Sequence, residues 1–398
     1  MTLSTLPLSY CTNVHPGLTI KEVEAGLREN TVAVRNRVEK LAAGLWLARP
    51  VATELLETPD NLDRFSDLLN KAGLTCYTLN TFPFGNFHDA RVKENVYLPD
   101  WSRDDRINYT LDSARILAKL MPDDGTEGSL STVPLGFKPF DYPETFADEC
   151  AGQLIALAKS LKQLEEETGR KIRLAIEPEP FCILETTPET IQFFRRMREL
   201  AADTGSLDVV NEYLGVCYDV CHQAVEFEDV AESINQLVAE QIRINKLHIS
   251  CAIRLENPCE NEEARQALAK YAEPRYLHQT MARAADGTIH RQVDLTEDTA
   301  LAPPDSFATA EEWRVHFHVP VNAESLGPLQ TTRRDLKQAL AAVRDLDYAP
   351  HLEVETYTWE VLPDGGQVSL VDGLTAEVEA TKSLLDGLSE HRTPNVQH

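Results

Sequence analysis

The sequence predicts a (β/α)8 TIM barrel of the α/β class with an elaborated insertion after the seventh strand, and three observations carry that reading. Short apolar runs alternate with long amphipathic stretches along most of the chain, the pattern of parallel βα units. Four of those runs end on a candidate metal ligand: Leu174-Ala175-Ile176-Glu177, Val216-Cys217-Tyr218-Asp219, Lys246-Leu247-His248 and Leu352-Glu353-Val354-Glu355. The alternation fails over about 252–330 and then resumes. Strands of one parallel barrel stop at a common level, so strand-end side chains far apart in sequence meet at one rim.

In order, residues 8–14 read as the first strand. Thr19 with Glu22 three positions later is a capping-box pair, opening a helix expected to run to about 43. A short second strand is expected at 45–47. A helix follows over 60–72, closed by Gly73 as a left-handed cap. Residues 75–82 form the third strand and lead into the aromatic loop Phe82-Pro83-Phe84-Gly85-Asn86-Phe87. Helix 103–120, strand 131–134 and a long helix 144–167 ending at Gly169 come next. Strand five covers 172–177, helix five 188–202, strand six 214–219, helix six 230–242 and strand seven 244–250.

The 252–330 stretch holds a helix-like segment at 262–271, a polar segment at 286–298 and Pro303-Pro304. Residues 315–319 read as an extended element. A helix at 333–346, a last strand at 351–356 and a helix at 374–388 complete the pattern. One domain over 1–388 is expected, with the insertion capping the carboxyl-end face, where loops after barrel strands lie. A split into two domains near 251–330 is the alternative. The polar tail 389–398 is expected to be disordered.

Composition narrows the function classes. The 398 residues carry a net charge of −26 and are 42% hydrophobic, as suits a globular protein with a large core. An acidic chain repels phosphate backbones and anionic surfaces, so nucleic acid is not an expected partner. No apolar run approaches about 18 residues, and the N-terminus lacks the basic-then-apolar pattern of a secretory signal; no membrane insertion and a cytoplasmic location are expected. The eight cysteines are scattered without a CxxC pair and read as reduced. Cys217 and Cys221, four apart, are the one pair to weigh for zinc.

The strand-end residues carry the chemistry. A lone Glu where a strand ends is ordinarily a solvated loop residue. Glu177, however, follows a buried run and precedes Pro178-Glu179-Pro180, which stiffens the turn. Asp219 and His222 lie three apart on a strand-to-loop turn and can point into one cavity. Lys246, His248 and Ser250 alternate and share a face, as residues pointing toward a barrel axis do. Arg254, six beyond His248, is placed to reach a substrate from the rim; a surface ion pair is the plain alternative. Glu353, Glu355 and Tyr357 also share a face. Glu355, nearer the strand end, is the expected ligand, and Glu353 a deeper supporting or substrate-facing acid. His15 follows strand one and is placed to line the same rim. His316 and His318 face one way across Phe317, either as added ligands or as an ordinary polar strand face.

Glu on strand five, Asp-x-x-His on strand six, His then Arg six residues later on strand seven, and Glu on strand eight resemble the xylose-isomerase-like superfamily of sugar isomerases and epimerases. Glu177, Asp219 with His222, His248 with Arg254, and Glu355 match that pattern position by position. The resemblance implies a divalent metal (Mn, Mg or Co, with Zn also compatible) held by Glu177, Asp219, His248 and Glu355. It further implies Glu177 and Glu355 as the proton-transfer pair, with His222 and Arg254 fixing substrate oxygens. Three further stretches resemble the EboE family of metabolite-traffic proteins, which are xylose-isomerase-like barrels. These are Ser9-Tyr10-Cys11-Thr12-Asn13-Val14-His15-Pro16-Gly17, Val315-His316-Phe317-His318-Val319-Pro320 and Leu352-Glu353-Val354-Glu355-Thr356-Tyr357-Thr358-Trp359. That likeness implies neighbouring proteins of the same cluster as partners, and a small-molecule substrate.

Together these readings predict a metal-dependent isomerase or epimerase that acts on a small hydroxy-carbonyl or sugar-like metabolite through an enediolate. Two alternatives stand beside it. One is a metal-dependent phosphoesterase of the endonuclease IV type, with His316 or His318 in its site; the other is a non-catalytic metabolite carrier.

Overall fold

Fourteen strands are present in the described part of the structure, a computed structural model that describes residues 6–124, 126–363 and 368–390. They are β1 (Ser9–Cys11), β2 (Ala42–Trp46), β3 (Thr75–Asn80), β4 (Gly128–Thr132), β5 (Ile172–Ile176), β6 (Leu214–Asp219), β7 (Ile244–Ile249), β8 (Ile253–Glu256), β9 (Thr280–Arg283), β10 (Ile289–Gln292), β11 (Glu312–Val315), β12 (Ser325–Leu326), β13 (Leu329–Thr331) and β14 (His351–Val354). Eight of them, all parallel, close into a barrel in the order β1-β14-β7-β6-β5-β4-β3-β2, with β2 paired back to β1. This is the (β/α)8 TIM barrel that the alternation predicts.

Helices cover the outside of the barrel, and their ends follow from local chemistry. Thr19 and Glu22 form the capping box at the start of helix Ile20–Gly26. Gly73, at φ +65°, ends helix Pro59–Ala72 in the left-handed conformation that glycine adopts without steric penalty. The continuous helix expected over 19–43 is instead three pieces, Ile20–Gly26, a π turn at Leu27–Thr31 and Val32–Arg35. Its expected end belongs to β2, which starts at Ala42 rather than 45. By themselves Ala42 and Ala43 favour helix and Gly44 favours neither helix nor strand. Complete burial between β1 and β3 makes them strand.

Between β7 and β14 the chain builds a second sheet, ordered β10-β9-β11-β8-β13-β12, with the short helices Glu262–Ala269, Glu297–Leu301 and Asp305–Ala308 around it. The polar stretch 286–298 supplies β10, which pairs antiparallel with β9. The extended element expected at 315–319 lies earlier, as β11, so His316 and His318 follow the strand rather than sit on its face. Of the 389–398 tail, 389 and 390 continue the closing helix Leu370–Glu390, and 391–398 lie outside the described residues.

The barrel interior carries a buried polar layer. Lys246 Nζ lies 2.6 Å from Glu353 Oε1 and 3.2 Å from Ser131 Oγ, and Ser9 Oγ donates to Glu353 Oε2 at 3.1 Å. The Glu353 carboxylate occupies the space over Gly44 where a Cβ would stand. A Gly44→Ala substitution therefore drives a methyl into a buried ion pair. We expect it to destabilise the fold by about 3 kcal/mol or more, read from urea unfolding; a loss below about 1 kcal/mol would show the pair can move aside.

Glu377 ties the closing helix to the barrel. It accepts from Val321 N at 3.1 Å, Thr356 Oγ1 at 2.6 Å and Trp359 Nε1 at 2.9 Å. Burial outweighs these donors and lifts its carboxyl from 4.5 to about 7. Its stabilising contribution is thus fully present below pH 4.5 and lost as the pH rises through 7. Glu377→Gln abolishes that titration. The stability advantage of wild type over this variant should shrink between these pH values by at most about 3 kcal/mol, at about 1.4 kcal/mol per pH unit. An advantage constant with pH would contradict the shift.

Candidate metal centre

Barrel register delivers the strand-end residues to one point. Asp219 on β6 pairs with His248 on β7, and His248 pairs with Glu353 on β14. Glu177 and Glu355 each stand one residue past their strands, still held by backbone bonds to Thr132 O (3.0 Å) and Ile249 O (3.1 Å). One ligating atom from each of Glu177, Asp219, His248 and Glu355 lies within 4.8 Å of the others, and all four residues are buried. The imidazole Nδ1 of His248 faces the three acids, at 2.9 Å from Glu177 Oε1, 3.0 Å from Glu355 Oε2 and 3.5 Å from Asp219 Oδ2.

Neighbouring donors orient the carboxylates. Asn13 Nδ2 and Asn80 Nδ2 each donate to Glu355 Oε1 at 2.9 Å. Ser250 Oγ, at 2.7 Å, and His222 N, at 3.1 Å, donate to Asp219 Oδ1. One oxygen of Glu355 and one of Asp219 are thereby anchored, while Glu177 meets His248 Nδ1 through its Oε1. Glu177 Oε2 and Asp219 Oδ2 are buried with no hydrogen-bond partner. Buried carboxylate oxygens without partners are costly unless a cation meets them. The donor set of three carboxylates and one imidazole suits a divalent cation, so these residues fit a metal.

The charges respond as the geometry requires. Burial, with Glu355 close by, pushes the Glu177 carboxyl up despite His248. Asp219 is held well below the usual range: burial opposes this, but His222 and His318 prevail. Burial would depress His248, yet Cys217, Glu177 and Glu355 drive it well above the ordinary histidine value. Below the centre, Glu353 Oε1 faces His248 Nε2 at 3.3 Å and is matched by Lys246.

A second set of imidazoles adjoins this centre. The ring of His222 lies 4.6 Å from that of His316 and 5.5 Å from that of His318, and His222 Nε2 and His318 Nε2 approach to 3.4 Å. His222 Nδ1 bonds Pro178 O at 3.0 Å, and His318 Nδ1 bonds Glu355 O at 2.8 Å. His316 Nδ1 bonds Gln279 Oε1 at 2.7 Å, leaving its Nε2 buried and unpartnered. Burial and its two neighbours hold His316 well below the ordinary histidine pKa. A pocket of about 490 Å³, mouth included, opens above the centre. Glu177, Glu355, His222 and His316 line it together with Glu179, Asn13, Asn80 and a set of aromatic and aliphatic side chains.

Two of the residues expected at the rim, Arg254 and His15, lie elsewhere, while Glu353 takes the deeper place expected of it. Arg254 is on β8 in the second sheet, where its guanidinium bonds Glu312, Gln330 and Glu256. β8 starts four residues after β7 ends and turns away from the barrel, carrying Arg254 with it. His15 packs behind β1, its Nε2 2.9 Å from Tyr10 OH. Glu353 lies one layer beneath the pocket against Lys246. Cys217 and Cys221 fall in separate clusters and do not meet as a pair.

Residues not singled out from sequence also reach the pocket: Asn13, Asn80, Glu179 and Tyr97. Asn80 ends β3 and Asn13 follows β1, so the rule that found Glu177 and Asp219 would have found them too. Glu179 accepts from Tyr97 OH at 2.8 Å, and burial pushes its carboxyl well up.

No family model and no curated protein sequence matches the chain. Solved structures do. An L-ribulose 3-epimerase aligns at 12% identity with a TM-score of 0.53, over 99% of this chain and 100% of its own. A xylose isomerase-like TIM barrel protein from Mycobacterium smegmatis in complex with magnesium aligns at 13% and 0.52, over 98% and 99%. The IOLI protein with a binding zinc atom aligns at 11% and 0.50, over 96% and 99%. At this identity the likeness establishes the fold.

Removing Lys246 tests the layer beneath the centre. Lys246→Met leaves Glu353 buried without its cation and should cost about 3–5 kcal/mol in unfolding experiments. A Lys246→Met, Glu353→Leu double variant removes both charges and should recover most of that loss. Equal losses in the two would show that the pair itself is not what the fold depends on.

Proposed function

We propose that this chain is a metal-dependent isomerase or epimerase of a small hydroxy-carbonyl compound. The observation that carries the reading is the convergence of Glu177, Asp219, His248 and Glu355, with unpartnered carboxylate oxygens directed at one buried point beneath a pocket. A divalent cation (Mn, Mg or Co, with Zn also compatible) bound there would polarise the substrate carbonyl as a Lewis acid. The description of one similar structure as an L-ribulose 3-epimerase, and of others with magnesium or zinc, supports the same direction.

The chain's own residues supply the rest. Glu177 lines the pocket at the edge of this centre, placed to take a proton from carbon and return it. Glu355, fixed by Asn13 and Asn80 on the same pocket, is its counterpart. His222, held by Pro178 O, presents its Nε2 edge for a substrate oxygen. Burial excludes bulk water, which protects an enediolate-like species from stray protonation. The EboE resemblance extends this proposal to a cytoplasmic role in metabolite traffic beside other proteins of the same cluster. We also propose that the 252–330 insertion belongs to the same domain as the barrel and acts as the cap over its site.

A second reading, a multi-metal phosphoesterase, draws on one observation: His222, His316 and His318 cluster beside Asp219. Metal stoichiometry separates the two. Protein purified without chelator should hold one divalent ion per chain, and a Glu177→Gln, Glu355→Gln variant at least tenfold less. Equal metal in both proteins would overturn the centre, and two or three ions per chain would favour the phosphoesterase.

A further inference from the structure

We infer that the compound accepted here carries an apolar, ring-sized group opposite its hydroxy-carbonyl end, and no phosphate. This rests on the proposed function in taking the acidic floor as the place where the hydroxy-carbonyl end binds.

The pocket has two unlike surfaces. Its floor is Glu177, Glu355, Asn13, Asn80 and His222. Its wall is Phe82, Phe87, Val92, Val96, Leu277 and Tyr357, with Tyr276 beside them. Phe87, Tyr276 and Tyr357 form a closed triad, with ring centroids 4.9 Å, 5.2 Å and 5.0 Å apart and mutually tilted. Rings locked against one another present a fixed apolar face, and covering it with a ligand's apolar surface is favourable.

Among the described residues the pocket offers a phosphate no free lysine or arginine, only neutral donors such as the unpartnered Tyr276 hydroxyl. Among the described residues, Lys93 is the one lysine or arginine that lines the pocket. Its ammonium already meets three acceptors, Glu273 O at 2.9 Å, Tyr276 O at 2.6 Å and Asp294 Oδ2 at 2.6 Å. An ammonium has three N–H donors, so none is left over. Arg254, the cation that the sequence places at the rim, is turned into the second sheet. A phosphate on the far end of the substrate would face the Glu179 carboxyl and a largely apolar wall, with no free lysine or arginine among the described residues to balance its charge.

Three probes share a hydroxymethyl-ketone end and differ at the other: 1-hydroxy-4-phenylbutan-2-one, dihydroxyacetone and dihydroxyacetone phosphate. Calorimetric titration of the metal-loaded full chain should find the phenyl compound at least tenfold tighter than dihydroxyacetone, with the phosphate no tighter than dihydroxyacetone. Phe87→Ala should cut the phenyl preference below threefold. Leu277→Asn serves the same purpose should the Phe87 variant not fold. Tightest binding by the phosphate, or no advantage for the phenyl group, would overturn the inference.

Proton exchange at the α-carbons in D2O, followed by NMR on the same samples, tests the underlying reading separately. Phenyl-selective binding without exchange sinks isomerisation but leaves the ligand class standing. Exchange of dihydroxyacetone without phenyl selectivity does the reverse.

Discussion

Three carboxylates buried around a single imidazole set the terms for the rest of this molecule. Two like charges about 4 Å apart repel by about 4 kcal/mol even at an effective dielectric of about 20, and Glu177, Asp219 and Glu355 are all closed off from water. Such a group persists only where its surroundings compensate for it. Asn13, Asn80, Ser250 and the His222 amide each donate to an outer oxygen. His248 sits among the inner ones. A divalent cation at their centre, as proposed, would meet the two oxygens that no protein donor reaches.

The layer below follows from the same demand. His248 ligates effectively only if Nδ1 faces the acids, and its far nitrogen must then find a partner inside the barrel. Glu353 meets it by charge, its Oε1 3.3 Å away without a hydrogen bond, and this further buried acid needs its own counter-charge, which Lys246 gives. Room for that carboxylate exists because residue 44 has no side chain. A glycine in the middle of β2, a lysine on β7 and two acids alternating from β14 are thus one arrangement. It explains why a barrel interior that apolar residues commonly fill is here polar, with Ser9, Thr78, Ser129, Ser131 and His351 joined by hydrogen bonds around the ion pair.

How much of this the sequence discloses depends on the range of the forces involved. The barrel was legible because strand and helix periodicities are local and repeat eight times. The convergence of Glu177, Asp219, His248 and Glu355 was legible because parallel strands turn a one-dimensional position, the strand's end, into a three-dimensional one. The second sheet was not. Its strands are two to four residues long and stabilise one another only across large sequence gaps, so no window holds the signal. Arg254 shows the cost. Counted along the chain it belongs to the rim, yet β8 reverses away from the barrel and delivers it to Glu312. His15 failed differently: it follows the right strand but turns to Tyr10 instead of the rim, and that choice is a property of packing. Glu353 lies at the deeper level that its alternation with Glu355 indicates. Asn13 and Asn80 were missed although they obey the strand-end rule, because neutral amides do not announce themselves as ligands; they hold one.

The site is assembled from two sources with different constraints. Its acidic floor is fixed from within the barrel, by donors on or beside β1, β3 and β7. Much of its wall comes from the loop after β3 and from the insertion, where Gln279 holds His316 and the chain around Tyr276 holds Lys93. Wall and floor can therefore vary independently, except where they touch. Asn80 is one such point, its Oδ1 accepting from Phe82 N at 2.9 Å. His318 is another: its Nδ1 bonds the backbone oxygen of Glu355, its carbonyl accepts from Thr358, its ring lies 4.8 Å from Tyr357, and its Nε2 faces His222. A ligand that displaces Tyr357 must therefore press on His318, and through it on the strand end that carries Glu355. Contact with the wall is thus coupled to the floor through His318, on the insertion, and through Asn80, which donates to the Glu355 carboxylate.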